Sequence, residues 1–349
     1  MSDDSRGNEA TQQGAVSSRK PTIYDVAQKL GLSPSTVSRA LNKPGRVNKA
    51  TEAKIRAAAD ELGFRTNPFA RALQTGKTGT FAIIISDITN PVHFDLIRGA
   101  EQVATDNELT LVLAETQGSP DHERATITRL QRSVDGILVV ASRLDGDSLR
   151  AIATQTPVVA ANHAADGIPS VFADMRAGLT QAVEHLHGLG HRSIAYLGGP
   201  NARIDSARWN LLAGEAEIRD ISLVEIRVDS PTVAGGAGAI RRVLASGVTA
   251  VMAYNDLVAH GLLLASRKAG IDVPGRLSIV GFDDIFSAEL SLPALTTIRS
   301  PLREIGTVAM RRLVTGSSSP DAEAESESER IALPTTLVVR DSSGPVESS

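Results

Sequence analysis

Ser35, Ser38 and Arg39 fall on one side of a short stretch, Ser33-Pro34-Ser35-Thr36-Val37-Ser38-Arg39-Ala40-Leu41. A guanidinium is planar and can donate two hydrogen bonds to O6 and N7 of guanine, worth roughly 1–3 kcal/mol of base discrimination. Hydroxyls reach phosphates, which fix register without reading sequence. That chemistry needs a helix that can enter a major groove, and the stretch reads as one. Ser33 is a good N-cap, and Pro34 takes the first helical position, where its missing N–H costs little. Val37, Ala40 and Leu41 then face inward. Thr22, Tyr24, Ser38 and Asn42 are placed for phosphates, although Tyr24 and Ser38 could equally serve as capping or core-edge residues.

A helix of this kind must be held by others. Before it, Val26, Ala27 and Leu30 recur at helical spacing, and Gly31 supplies the left-handed stop. Two helices joined by a short turn containing glycine make a helix-turn-helix. A third helix is expected from Lys49 to Leu62 after the N-cap Asn48, with Ile55, Ala58, Ala59 and Leu62 as its apolar stripe and Gly63 as its end. The head thus spans 21–66. Residues 1–20 are polar and aperiodic, and disorder is expected there. Residues 67–77 read as a hinge containing a helix of about two turns, too short to be stable alone.

Charge supports the same division. The chain has 349 residues and a net charge of −4, yet Arg19 to Lys77 carries +8 and the remainder −12. A basic head on an acidic body attracts phosphate where the helix docks and repels it elsewhere. There is no cysteine, which excludes disulfides, thiolate nucleophiles and cysteine-ligated metal sites. No apolar run reaches the ~18 residues of a membrane span, and no signal core opens the chain, so a cytoplasmic protein without membrane partners is expected.

From Thr78 onward the pattern changes. Apolar runs at Phe81–Ile85, Thr110–Ala114, Gly136–Val140, Pro157–Ala160, Ser193–Leu197, Ala250–Ala253 and Leu277–Gly281 read as strands. Helical stretches such as Phe94–Asn107, Glu123–Gln131, Gly178–Leu189 and Asp256–Ala269 lie between them. Such alternation implies parallel sheets flanked by helices. The length exceeds one comfortable sheet, so two lobes are expected. Ligands of open α/β sheets bind at the carboxyl ends of strands, and a cleft between two lobes collects two such ends.

Several motifs resemble one family. Thr22-Ile23-Tyr24-Asp25-Val26-Ala27, Ser35-Thr36-Val37-Ser38-Arg39-Ala40-Leu41-Asn42 and Asn67-Pro68-Phe69-Ala70-Arg71-Ala72-Leu73 are similar to the head and hinge of LacI/GalR-family transcriptional regulators. Asp87-Ile88-Thr89-Asn90-Pro91, Tyr254-Asn255-Asp256, Gly281-Phe282-Asp283-Asp284 and Pro293-Ala294-Leu295-Thr296-Thr297-Ile298 are similar to that family's effector domain. The resemblance implies base readers at Pro34, Ser35 and Arg39, although Pro34 replaces the usual polar residue and offers only apolar contact. It implies that the hinge orders on an operator, paired with its dimer mate, and that Leu73 wedges into the minor groove; the alternative for Leu73 is a core contact. It implies a fold of mixed class: a helix-turn-helix head, a hinge helix, then a two-lobed periplasmic-binding-protein-like domain over 78–345. Lobe one would be 78–177 plus 300–318 and lobe two 178–299 plus 330–342, with crossings near Ala177, near Ser300 and in Ser317–Glu329.

By the same match the effector residues are Asp283, Arg208, Asp174, Asn255, Asn90, His93 and Phe94. A carboxylate and a guanidinium can each bind two hydroxyls, which suits a polyol. Asp283 could instead cap the following turn, Arg208 could pair with Asp205, and Trp209 could stack on a sugar or simply pack.

Other chemistries find no support. His185 and His187 diverge on a helix, which disfavours a metal site with His191. Gly235-Gly236-Ala237-Gly238 lacks the strand–turn–helix phosphate fingerprint, and no nucleotide-phosphate loop or nucleophile elbow occurs. A sugar kinase with a helix-turn-helix head would need such a loop, and a free sugar-binding protein would not need the basic head. The sequence therefore points to a non-enzymatic regulator without cofactor or metal. Its expected partners are a pseudo-palindromic double-stranded DNA operator, a small carbohydrate effector and a second copy of itself. The stretch Asp341–Ser349 has no leucine heptad, so a homodimer rather than a coiled-coil tetramer is expected. Arg39→Ala should erase preference at one guanine per half-site in a randomised-operator selection, and an unchanged profile would remove Arg39 as a reader.

Overall fold

The structure, a computed structural model, describes residues 21–42, 46–65, 76–199, 202–316 and 330–346. The chain forms two compact units, Met1–Thr78 and Gly79–Ser349.

The first unit holds helices α1 (Ile23–Leu30), α2 (Pro34–Asn42) and α3 (Lys49–Glu61). Each boundary has a local cause. The Thr22 backbone N–H and hydroxyl donate to the Asp25 carboxylate at 2.6 and 2.7 Å, closing the start of α1. Gly31 ends it at φ 67°. Asn48 Oδ1 accepts from Ala50 N at 2.9 Å and starts α3. Val26, Val37, Ala40 and Ile55 are fully buried at the centre of the three helices. The expected tail (1–20) and most of the expected hinge, including Leu73, lie outside the described residues.

The second unit starts with β1 (Thr80–Ile85), α4 (Val92–Asp106), β2 (Thr110–Glu115), α5 (Pro120–Leu130) and β3 (Gly136–Val140). It continues with α6 (Gly146–Ala153), β4 (Val158–Ala161), β5 (Ser170–Asp174), α7 (Arg176–Gly188) and β6 (Ser193–Gly198). Then come α8 (Ala202–Ile218), β7 (Ser222–Arg227), α9 (Val233–Ala245), β8 (Ala250–Ala253) and α10 (Asp256–Lys268). The chain closes with β9 (Ser278–Asp283), β10 (Thr296–Arg299), α11 (Leu302–Gly316), β11 (Arg330–Pro334) and β12 (Thr336–Val338).

Two six-stranded sheets result, ordered β11-β5-β4-β3-β1-β2 and β12-β10-β9-β8-β6-β7. The first is parallel throughout, and in the second only β12 runs antiparallel, against β10. Central strands are covered on both faces by helices, so β1 and β3 read as unbroken apolar runs with hardly an exposed side chain.

Among the described residues the chain crosses between lobes three times: after Asp174, after Arg299 and at Thr335. The last corrects the expectation that Ser317–Glu329 is a crossing and that 330–342 belongs wholly to lobe two. Arg330–Pro334 pairs in parallel with Ser170–Asp174, so it is an edge strand of the first sheet. The chain changes lobe only at Thr335, whose buried hydroxyl donates to Asp174 O at 2.8 Å and accepts from Gly178 N at 3.1 Å. The first and third crossings are thereby stapled together.

In each lobe one helix pair closes on reciprocal glycines. A Cβ on Gly99 of α4 would lie 2.0 Å from Arg303 O of α11, and one on Gly306 of α11 would lie 2.0 Å from Leu96 O of α4. Gly236 of α9 and Gly261 of α10 repeat the arrangement against Val258 O and Val233 O, again at 2.0 Å. Gly306→Ala must push α11 off α4 and should cost about 1–3 kcal/mol. Gly238→Ala, with nothing within 4 Å of the new methyl, should instead gain up to about 1 kcal/mol from helix propensity. Urea unfolding midpoints that moved in the same direction for both would contradict this packing.

Candidate DNA-reading and effector sites

In the head, α2 carries the candidate reading face. Ser33 Oγ accepts from Thr36 N at 3.2 Å and caps the helix. Ser35 and Arg39 are exposed one turn apart, and Arg39 Nε donates to Ser35 O at 3.3 Å. Pro34 and Ser38 are half-buried beside them. Thr22 spends its hydroxyl on Asp25, whereas the Tyr24 ring is 68% exposed next to it, too open for a core-edge role. The Asn42 backbone ends α2, and its side chain lies outside the described residues.

In the second unit the cleft is built around the end of β9. Asp283 has φ 110° and Asp284 φ 57°, so the backbone is turned through a region L residues rarely occupy. Two neighbouring carboxylates hold it there. Asp256, fully buried at the start of α10, accepts from Ile285 N at 2.8 Å and Thr297 Oγ1 at 2.5 Å. Asp284 accepts from Arg299 Nε at 2.6 Å and Arg340 Nη2 at 2.7 Å. Among the described residues none hydrogen-bonds the Asp283 carboxylate, so it is not the turn cap that the sequence also allowed. Burial raises its pKa to about 7, and the Arg208 charge opposes that rise. Burial and the neighbouring Asp283 also push Asp256 well above the carboxylate range.

Arg208 comes from α8. Its guanidinium lies 3.7 Å from the centroid of the Phe282 ring and 4.9 Å from that of Tyr254. It donates to Tyr254 O, and through Nε to Met175 Sδ at 3.3 Å. It does not pair with Asp205, which accepts instead from Tyr196 Oη at 2.9 Å and Gly199 N at 3.0 Å. Trp209 packs against the buried cluster around Tyr196.

The remaining candidates divide. Asp174, at the end of β5, joins Arg208 and Asp283 around a cavity of about 320 Å³. Phe94, on the first turn of α4, lines a neighbouring cavity of about 520 Å³ that Asp283 also borders. Asn90, His93 and Asn255 line neither. Asn255 is committed at both ends of its amide: Oδ1 caps α10 through Val258 N at 2.9 Å, and Nδ2 donates to Pro231 O at 3.1 Å. Asn90 Oδ1 accepts from Val92 N at 3.2 Å. His93 is buried beside Ser86, Nε2 to Oγ 3.4 Å, and burial lowers its pKa to about 4, so it is neutral near pH 7.

His163, Met175 and Phe282 line the smaller cavity and Phe286 the larger, and none of the four was among the expected effector residues, although Phe282 lies inside a matched motif. His163 sits just past the apolar run that ends β4, where the strand-end rule points. His185 and His191 hold the C-terminal segment, through Ser343 Oγ at 2.8 Å and Gly344 O at 3.1 Å respectively. Among the described residues no acidic, histidine or cysteine cluster could hold a metal.

The sign of the Asp283 shift has a consequence for stability. A raised carboxyl pKa means that the folded state binds the proton more tightly than the unfolded chain. The stability it confers is complete below the unfolded value near ~4 and is lost as pH rises through about 7. Relative to the parent, Asp283→Asn should therefore gain melting temperature from pH 4 to pH 7 and hold a constant advantage above. A gap that narrows with pH in thermal melts would refute the buried-charge assignment.

Comparison with known proteins agrees with this architecture. Residues 22–67 match the profile of bacterial regulatory proteins of the lacI family, and residues 183–343 match a periplasmic binding protein-like domain. The chain is 31% identical over 341 residues to the HTH-type transcriptional regulator DegA of Bacillus subtilis (strain 168), covering 94% of this chain and 99% of that one. It is 31% identical over 333 residues to the ribose operon repressor of Halalkalibacterium halodurans, covering 94% and 98%. Among solved structures, a lac repressor dimer bound to operator and the anti-inducer ONPF matches with a TM-score of 0.79 at 26% identity, over 93% of this chain and 100% of that one. Helix-turn-helix head and two-lobed body are thus matched together and nearly end to end, and the chain belongs to the lacI family of bacterial regulatory proteins.

Proposed function

We propose that this chain is a DNA-binding transcriptional repressor whose hold on a pseudo-palindromic operator is set by a carbohydrate in the interlobe cleft. The observation that carries the reading is the unpartnered Asp283 carboxylate facing the same cavity as Arg208 and Asp174. A half-buried carboxylate that finds no hydrogen-bond donor among the described residues and borders a cavity is suited to ligand hydroxyls. The family is not enzymatic, and among the described residues no helix is long and apolar enough to cross a membrane. The cytoplasm, where the DNA lies, is the fitting compartment.

In this reading two chains present two heads to two half-sites, as their symmetry requires. Ser35 and Arg39 read base edges and Pro34 offers apolar contact. Tyr24, Ser38 and Asn42 fix register on phosphates, and Thr22 contributes through the cap of α1. Leu73 wedges into the minor groove, kinking the duplex at a cost of a few kcal/mol. Ligand binding shifts the lobes and with them the pairing of the hinges, a coupling typically worth about 1–3 kcal/mol. Effector residues are Asp283, Arg208, Asp174 and Phe94, with Asn90, His93 and Asn255 shaping the walls behind them.

The test is a gel shift on the DNA upstream of its own gene, at fixed salt, against a panel of sugars and sugar phosphates. A specific shift that one compound abolishes or strengthens is expected. ATP-dependent phosphorylation of a sugar by pure protein, or the absence of any specific shift together with no genome-wide binding site, would overturn the reading.

A further inference from the structure

The segment that follows β12 is a stitched strap on lobe two. Arg340 N donates to Thr296 Oγ1 at 2.9 Å, and Ser342 N to Ala294 O at 2.9 Å. Ser342 is fully buried, and its hydroxyl donates to Ile279 O at 2.6 Å and accepts from Thr296 N at 2.8 Å. Gly344 N donates to Ser278 Oγ at 3.0 Å, and Val346 N to Leu189 O at 3.0 Å. Residues 340–346 are thus tied to the starts of β9 and β10 and to the end of α7. Buried polar groups matched in this way hold a segment in one place.

One side chain carries that fixed position to the effector site. The Arg340 guanidinium donates to Leu295 O through Nη1 and to Asp284 Oδ1 through Nη2, each at 2.7 Å. Asp284 follows Asp283 and shares its positive φ. The Asp284 side chain is 7% exposed and has two cationic partners, Arg340 at 16% exposure and Arg299 at 56%. An exposed pair is worth little, whereas breaking a buried one leaves an uncompensated charge. Arg340 is therefore the stronger hold on Asp284 and on the turn it belongs to. It lines neither cavity of the cleft. We infer that the strap is a working part of the effector site, in which Arg340 is a positioning residue that aims the Asp283 carboxylate by gripping Asp284. The inference rests on the reading of Asp283 as an effector residue and names what sets its direction. Asp256 holds the same loop separately, through Ile285 N and Thr297 Oγ1, so loss of Arg340 frees the turn without unravelling the loop.

The test uses the full chain with Arg340→Gln, Asp284→Asn and the two combined. Hydrogen–deuterium exchange of peptides covering residues 280–286 should be at least about fivefold faster in each variant, with β8 unchanged. The double variant should exchange no faster than either single one, because both remove the same contact. A pH profile separates aim from bulk stability. Arg208, Tyr254 and Asp256 act electrostatically with Asp283, and Asp174 and His163 border its cavity; all five stay intact. In the Arg340→Gln background the melting-temperature gain from Asp283→Asn between pH 4 and pH 7 should fall to less than about half of that in the parent, since a released carboxylate reaches water. Unchanged exchange at 280–286 or an undiminished gain would overturn the inference. So would equal acceleration at β8, which would make the strap a stabiliser of lobe two and nothing more, or additive effects of the two substitutions, which would place the action of Arg340 elsewhere. Titration calorimetry with glucose, galactose and ribose tests the carbohydrate reading apart from this. A sugar that binds the parent should bind Arg340→Gln at least about tenfold more weakly, and equal affinity would overturn the inference. Binding of none of them to the parent would count against the carbohydrate reading and leave the exchange measurements to decide the strap.

Discussion

Asp256 is wholly buried, and a buried carboxyl group is tolerated only when its hydrogen-bonding sites are filled. The partners that fill them, Ile285 N and Thr297 Oγ1, belong to the two sides of the segment that joins β9 to β10. Satisfying one acid thus fixes the path of that segment and with it the unusual backbone at Asp283. The same demand explains Gly281, where a Cβ would come within 2.1 Å of Asp256 Oδ1. Remove the buried acid and only the Asp284 pairs with Arg299 and Arg340 would be left to hold the backbone around Asp283.

Lobe one solves the same problem with Glu123. Its buried carboxylate accepts from Ser142 Oγ and from Arg143 N at 2.9 Å, pinning the loop that follows β3. Each lobe thus holds a strand-end loop on a buried acid, lobe two adding Asp205, which accepts from Gly199 N after β6. Stability and binding capacity are divided between different carboxylates. Asp256 and Glu123 are satisfied within the protein, while Asp283 is left to be satisfied by something else.

Much of this was legible in the sequence, for physical reasons that differ by region. The head was read nearly residue by residue, because its helices carry a 3.6-residue apolar period and explicit caps at Ser33, Gly31 and Asn48. Of the inner strands β1, β3, β4, β6, β8 and β9 were read, because burial on both faces leaves unbroken apolar runs, whereas β5 and β10, short and partly polar, were not. The edge strands β7 and β11 were not, since Ser222–Arg227 and Arg330–Pro334 mix exposed polar with half-buried residues and have no run to see. That is why the third crossing was misplaced. In the cleft, Asp283, Arg208 and Asp174 were found through motif matching, and the structure brings them to one cavity. Asn255 belongs to the same motif class but serves as a helix cap, a distinction that depends on where an amide points. Phe286 carried no signal at all, because its partner, the Phe94 ring, comes from the other lobe.

Thr335 gives the two lobes a common axle. Its hydroxyl ties the crossing after β5 to the crossing before β12, so these two connections cannot slide independently. What freedom remains is torsion about the bundled strands, and Asp174, whose carbonyl is part of that tie, sits close to the axis. A ligand bridging Asp174 and Asp283 across their shared cavity would act on a very short lever arm. The periphery of each lobe, far from the axle, moves on a long one. A rotation about this axle that is small near Asp174 would be large at the rim, and the close glycine contacts of α4 with α11 and of α9 with α10 would let each lobe turn as a unit.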